Sequence, residues 1–248
     1  MMGKIDNTNF IPQITHDLRN YLGGISGLAN IVLDNINAYL KKQEAIGIKP
    51  DKNLKEILEC ANMLTPYSNE ALCYVEDLLN NAQMQSGKFT LGKLEDCNIG
   101  ELVKELLVFN QSFISDHQIN VETNIAENLP KLKTDIIRLK QILINLITNA
   151  VKYSPKGNKV EILVSQNQNS QIQITISDSG IGMSREEIQM ALNGNGKEID
   201  KSVLNKPIDS HGLGMPIVKQ LVDLLGAKME IESEKGKGTK ILLCFSCN

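Results

Sequence analysis

The period of the apolar residues changes part-way along the chain, and that change limits the fold more than any other feature. From Ile11 to Tyr39, apolar residues recur at alternating steps of three and four: Ile11, Ile14, Leu18, Tyr21, Ile25, Leu28, Val32 and Tyr39, broken at Asn35. Such steps average half a heptad, which on a helix draws one continuous seam. A second series, Leu54, Ile57, Ala61, Leu64, Ser68, Ala71, Val75, Leu78 and Ala82, follows a segment carrying the breakers Gly47 and Pro50. Two long helices joined by a turn make a helical hairpin over residues 1–86. A hairpin with such long seams cannot cover all of its apolar surface, so the expectation is a homodimer in which two hairpins form a four-helix bundle. The alternative is a monomer in which both are core helices.

Beyond a linker at 87–97 the period shortens. Asn98 followed three residues later by Glu101 marks a helix start, with the helix expected to run to about Ser115. Strand patterns occur at 119–125, 159–166, 171–178, 227–234 and 239–246, and helix patterns at about 135–152 and 216–225. Strands in tight succession, interrupted by helices, predict an α+β chain whose residues 98–248 form a two-layer α/β sandwich.

Of the 248 residues, 42% are hydrophobic and 22% charged, enough to bury a core. The 26 basic and 29 acidic residues give a net charge of -3, which does not favour nucleic acid as a partner. No membrane span is expected, since no run approaches the ~18 apolar residues it needs. The start, MMGKIDNTNF, lacks an apolar signal core, and the chain is expected to be cytoplasmic. Five cysteines at irregular spacing do not form a disulfide framework. Cys244 and Cys247 end an apolar run, where a strand end is a better reading than zinc.

Several short stretches carry possible chemistry. In ITHDLRNYLGG, His16 and Asn20 share a helix face, with Asp17 turned to the side, an arrangement that suits a nucleophile with helpers or merely an exposed histidine. Gly23, Gly24 and Gly27 each cost about 0.8–1 kcal/mol relative to alanine within a helix, so they serve either close helix approach or bending. Asn145, Asn149 and Lys152 lie on one face of an otherwise apolar helix, either a solvated stripe or a set that meets a hydrated metal and phosphate oxygens. Asp178, Gly180 and Gly182 follow a strand, where a carboxylate accepts from an amine and glycines admit a flat ligand, though glycine turns are mostly structural. Gly212 and Gly214 precede a helix with Pro216 in its first turn, a geometry that offers backbone N–H groups to an anion.

Taken in order, H-D-x-R-N from His16, N-x-x-x-N-A-x-K-Y from Asn145, D-x-G-x-G-M from Asp178, G-L-G-x-x-I-V-K from Gly212 and GKGT ending at Thr239 resemble a sensor histidine kinase of two-component signalling. The resemblance covers nearly the whole chain. It implies a dimeric hairpin bearing the phospho-accepting His16, and an ATP-binding domain of the type shared with gyrases and heat-shock chaperones. Asp17 would orient the imidazole and take its proton, and Asn20 would position water in the reverse, phosphatase activity. Asn149 and Asn145 would hold Mg2+, with Lys152 and Tyr153 near the phosphates and ribose. Asp178 would read the adenine amine, Gly180 and Gly182 would let the base approach, Gly212, Leu213 and Gly214 would bind phosphates, and Thr239 would close the pocket. The implied partner is a response-regulator receiver domain offering an aspartate.

Three positions depart from that pattern. Tyr21 stands where the family usually has proline, no aromatic residue lies between Ser184 and Asp209, and Ser210 replaces a glycine. The competing readings are a phosphotransfer protein that passes phosphoryl groups through His16 without using ATP, and a scaffold whose lid closes on ATP without phosphorylating anything.

Overall fold

The computed structural model describes residues 10–45, 53, 54, 56–58, 60, 71, 91–194 and 214–246. The chain divides into two compact units, Met1–Lys88 and Phe89–Asn248.

In the first unit, helix α1 spans Phe10–Ala45 and runs without interruption through Gly23, Gly24 and Gly27. A Cβ built on any of these three glycines meets nothing within 4 Å, so no close approach among the described residues explains them. The helix carries two apolar stripes at heptad steps. Leu22, Ser26, Ala29, Leu33, Ile36 and Leu40 form the partly covered one, with Ala29 and Ile36 buried. The seam read from the sequence is the other stripe, and it is bare: Tyr21 is 72% and Leu28 66% exposed, beside exposed Leu18, Ile25, Val32 and Tyr39. Of the second expected helix, residues 53, 54, 56–58, 60 and 71 are helical, and the remainder lies outside the described residues.

The second unit runs β1 (Glu95–Cys97), α2 (Ile99–Phe109), α3 (Gln111–Asp116), β2 (Asn120–Ile125), β3 (Leu132–Thr134), α4 (Ile136–Lys152), β4 (Lys159–Gln166), β5 (Gln171–Asp178), α5 (Arg185–Leu192), α6 (Gly214–Leu224), β6 (Lys228–Glu234) and β7 (Gly238–Ser246). Five strands form one sheet in the order β2-β4-β5-β7-β6, and β1 pairs with β3 in a separate ribbon. Within the large sheet β2 is parallel to β4 and every other pairing is antiparallel.

Strict alternation explains the layering. Val160, Ile162 and Val164 on β4, Ile172, Ile174 and Ile176 on β5, and Ile241, Leu243 and Phe245 on β7 are buried. The residues between them remain partly or fully exposed, so one sheet face holds the core and the other faces solvent. Helix α4 packs on β5 and between α2 and α6, closing a two-layer sandwich. Its apolar face, from Leu139 to Val151, is buried.

Three local features differ from the expected ones. The helix from Asn98 does not run on to Ser115; it ends at Phe109 and α3 begins at Gln111. Asn110 stands at the break, where its side-chain Nδ2 donates to the Leu106 carbonyl at 2.8 Å and competes with its own helical N–H, at 3.0 Å, for that acceptor. The linker segment 87–97 ends in a strand, β1, three residues being too short for a periodic signal. Helix α5 was not anticipated, although its signal is present: Ser184 accepts from the Glu187 N–H, and the Glu187 carboxylate accepts from the Ser184 N–H at 2.7 Å, a capping box.

Asp135 sets the start of α4. Its buried carboxylate accepts from the N–H groups of Ile137 and Arg138 at 3.1 and 3.2 Å and, through the other oxygen, from Gly92 N–H at 2.7 Å. One side chain thus caps the helix and ties down the segment before β1.

Candidate functional site

The second half of α4 carries the polar stripe. Asn145, Asn149 and Lys152 are half-buried on a helix whose neighbouring positions are apolar. Asn145 Nδ2 donates to the Gln141 carbonyl at 3.1 Å, which leaves Oδ1 to face across the interhelical space. What it faces is the first residue of α6: a Cβ on Gly214 would sit 2.9 Å from Asn145 Oδ1 and 3.8 Å from Asn149 Nδ2. A side chain at 214 would press on the Asn145 amide and come into ordinary contact with that of Asn149. The first turn of α6, with Pro216 as its third residue, lies beside those amides, and a helix start offers backbone N–H groups to an anion. Gly212 and Leu213 lie outside the described residues.

At the end of β5, Asp178 Oδ1 accepts from Gly180 N–H at 2.8 Å and Thr239 N–H at 3.2 Å. Burial pushes the carboxyl up to about 6, against the lowering effect of these two bonds. Its other oxygen, Oδ2, makes no hydrogen bond among the described residues. Asp178 pairs across the sheet with Thr239, and Thr239 with Ser233. One step deeper the same strands align Ile176, Ile241 and Ile231, so a polar row ends the apolar rows of the helix-facing side.

The loop leaving Asp178 is clamped from two sides. Ile181 N–H donates to the Tyr153 carbonyl at 3.2 Å, at the C-terminal end of α4. On the opposite side, Gly236 N–H donates to the Ile181 carbonyl at 2.7 Å and Met183 N–H to Ser233 Oγ at 2.8 Å. Two glycines permit this. A Cβ at Gly180 would strike the Tyr153 carbonyl oxygen, and one at Gly182, where φ is +63°, would strike the Glu234 carbonyl. The Tyr153 bond also joins the two halves of the site, since α4 carries the amide stripe into the loop that holds Asp178.

Of the sequence-derived residues, Asn145, Asn149 and Gly214 meet along the second half of α4, and Tyr153, Asp178, Gly180, Gly182 and Thr239 meet at its C-terminal end. Lys152 lies between them on the same helix. His16 and Asp17 lie on α1, their side chains outside the described ones, and Asn20 is exposed there. Sequence reading missed Ser233, whose hydroxyl touches both the loop and Thr239; its only signal was its position in a strand whose partner carried Thr239.

Chemically, one end offers carboxylate and hydroxyl acceptors suited to an amine, and the other offers amides and a helix N-terminus suited to phosphate. The donor set fits Mg2+ in one way only. No cluster of three His, Cys, Asp or Glu side chains occurs among the described residues, so a protein cage is absent there. One or two amide oxygens suit a Mg2+ that keeps waters and takes its remaining ligands from a phosphate chain.

Residues 134–247 match the family described as Histidine kinase-, DNA gyrase B-, and HSP90-like ATPase. The chain is 26% identical over 244 residues to the cell-division control histidine kinase PdhS of Brucella anthropi, covering 96% of this chain and 22% of that protein. It therefore spans about a fifth of that curated relative's length. Among solved structures, full-length ShkA in complex with AMPPNP superposes with a TM-score of 0.65 at 21% identity, over 96% of this chain and 45% of that one. Histidine kinase ThkA in complex with the response regulator protein TrrA gives a TM-score of 0.56 at 16% identity, over 97% of this chain and 62% of that one. At these identities the structural likeness speaks for the fold. Among the described residues, no helix is long and apolar enough to cross a membrane.

Proposed function

We propose, from the match of residues 134–247 to the family described as Histidine kinase-, DNA gyrase B-, and HSP90-like ATPase, that this chain is the catalytic core of a sensor histidine kinase. It phosphorylates itself on His16 with ATP and passes the phosphoryl group to an aspartate of a response-regulator receiver domain. The observation that carries the reading is the placement of Gly214 against Asn145 and Asn149, one to two turns along the same helix from the C-terminus that holds the Asp178 loop. A site with an amine reader at one end and an anion site at the other fits a nucleoside triphosphate.

In this reading Asp178 accepts from the adenine amine through Oδ2, while its Oδ1 stays bound to the loop and to Thr239. Gly180 and Gly182 keep the loop flat beneath the base. The N-terminus of α6, with Gly212, Leu213 and Gly214, receives the phosphates, and Lys152 and Tyr153 lie toward the phosphates and ribose. Mg2+ held by Asn149 and Asn145 would neutralise phosphate charge as the γ-phosphoryl group leaves. A histidine of ordinary pKa, about 6.5, is mostly neutral near pH 7 and has a free ring nitrogen for attack. His16 forms the new P–N bond, the γ-phosphorus loses its bridging oxygen to ADP, and Asp17 takes the imidazole proton. Asn20 serves the reverse hydrolysis. Asn145 stands where related ATPases carry a glutamate, and an amide cannot activate water, so ATP is held for His16.

Residues 1–86 form the dimerising hairpin, 87–97 a linker and 98–248 the ATP-binding domain in this proposal. The bare seam of α1 supports a homodimer: Tyr21, Ile25, Leu28 and Val32 form an exposed apolar stripe beside one partly covered, and a second copy would bury it.

The test uses γ-labelled ATP and Mg2+ with the wild-type protein, His16→Ala and Asn149→Ala. Acid-labile, base-stable label on wild type alone is expected. Nucleotide binding without label points to the ATP-closed scaffold. Label accepted through His16 only from a phosphorylated receiver points to phosphotransfer without kinase activity.

A further inference from the structure

We infer that Ser233 is a positioning residue that fixes the direction of the Thr239 hydroxyl, and so makes the base end of the site selective for a 6-amino over a 6-oxo purine. The inference rests on the nucleotide reading above and extends it to a residue that reading does not use.

The single hydroxyl hydrogen of Ser233 can go to only one of its neighbours. Ser233 Oγ has three neighbours: the Gly238 carbonyl at 2.9 Å, the Met183 N–H at 2.8 Å and Thr239 Oγ1 at 2.9 Å. A hydroxyl carries one hydrogen and two acceptor lone pairs. The Gly238 carbonyl can only accept, so the Ser233 hydrogen goes there. The Met183 N–H can only donate, so it takes one lone pair. The contact with Thr239 must then be made by the remaining lone pair, and the Thr239 hydroxyl is the donor. With its hydrogen committed, Thr239 Oγ1 is only an acceptor toward anything that approaches it.

Register turns this into specificity. Asp178, Thr239 and Ser233 are successive residues of one row across β5, β7 and β6. Asp178 is an acceptor when ionised, with Oδ1 already engaged by Gly180 and Thr239 N–H groups. The row thus presents acceptors side by side. An exocyclic amine brings two hydrogens to such a row, whereas a 6-oxo group brings none, leaving only the adjoining ring N1–H to donate while the oxygen itself meets lone pairs. Sites built to pair a particular hydrogen reject analogues lacking it strongly, because buried polar groups are left unpaired. Without Ser233, Thr239 can rotate its hydrogen outward and serve an oxo group.

The experiment measures ATP and ITP affinities with Mg2+ for the whole chain, by calorimetry, in wild type, Ser233→Ala, Ser233→Thr and Thr239→Val. ITP differs from ATP at the purine 6-position and the adjoining ring proton. Wild type should prefer ATP by about 100-fold or more, Ser233→Ala should lose about tenfold of that ratio, and Ser233→Thr, which keeps the hydroxyl, should restore it. A Ser233→Ala protein that binds both nucleotides more weakly by the same factor overturns the inference and leaves Ser233 a merely structural residue. If Ser233→Ala does not fold, Thr239→Val carries the test: a preserved ratio overturns the inference. Wild type that binds neither nucleotide overturns the nucleotide reading itself, and this inference with it.

Discussion

Asp178 and Thr239 face each other at the ends of β5 and β7, and the Thr239 N–H donates to Asp178 Oδ1 at 3.2 Å. The carboxylate that would read a ligand is therefore held by backbone from a strand 61 residues away. One oxygen is spent on architecture, which leaves the other for chemistry, and the burial that makes this possible raises the carboxyl to about 6.

That raised value gives a pH dependence. The folded protein binds the Asp178 proton more tightly than the unfolded chain, so this group favours folding at low pH and loses that contribution as pH rises from about 4 toward about 6. Ligand amines require the ionised form, so binding runs the other way. ATP affinity should be flat above pH 7 and fall by about tenfold between pH 7 and 5. Asp178→Asn should abolish binding and its pH step while stabilising the free protein by about 1–2 kcal/mol at pH 7, read by urea denaturation.

Gly182 combines a positive φ of +63° with a carbonyl in the space of its Cβ. Gly182→Ala must either unwind the loop or push back the β6–β7 hairpin. We expect a loss of about 2–4 kcal/mol in denaturant unfolding, together with lost nucleotide binding. An alanine that leaves both unchanged would show that the loop has another conformation at no cost.

Gly214→Ala tests the meeting of α6 with α4. Its Cβ would lie 2.9 Å from Asn145 Oδ1, so alanine should push that amide out of place and weaken ATP binding by about tenfold or more, with a smaller effect on stability. Asn145→Ala makes room for that methyl. A double-mutant cycle should therefore show coupling between the two positions of about 0.5–3 kcal/mol, and strict additivity would place them apart.

The glycines of α1 give a prediction whose sign is informative. Nothing among the described residues approaches Gly23, Gly24 or Gly27, so Gly24→Ala should stabilise the helix by about 0.8–1 kcal/mol in thermal unfolding if only this chain matters. Destabilisation instead would mean that a second copy packs on the glycine. Leu28→Asp, placing a charge on the bare seam, should shift sedimentation from dimer to monomer without unfolding α1.

Much of the fold could be read from local pattern because local pattern is its cause. Residues 159–166 and 171–178 alternate strictly and are the strands β4 and β5; the α4 stripe follows from its helical period, and the loop glycines sit at the turns their backbone requires. What sequence did not reveal depends on partners remote in the chain. Three-residue strands such as β1 and β3 exist only because each supplies the other's hydrogen bonds, and their composition carries no period. The break at Asn110 is a choice between two acceptable hydrogen-bonding options, settled by a side chain that competes with the helix. Ser233 has no local mark at all: it matters because antiparallel register sets it beside Thr239, and Thr239 beside Asp178. Likewise the space beside position 214 is set by Asn145 on another helix. The sequence by itself determined which segments form helices and strands and which residue types carry chemistry, since both depend on neighbours within a few positions. Only the tertiary structure decided which of those residues share a row, a carbonyl or a proton, because register and packing are set by contacts between segments.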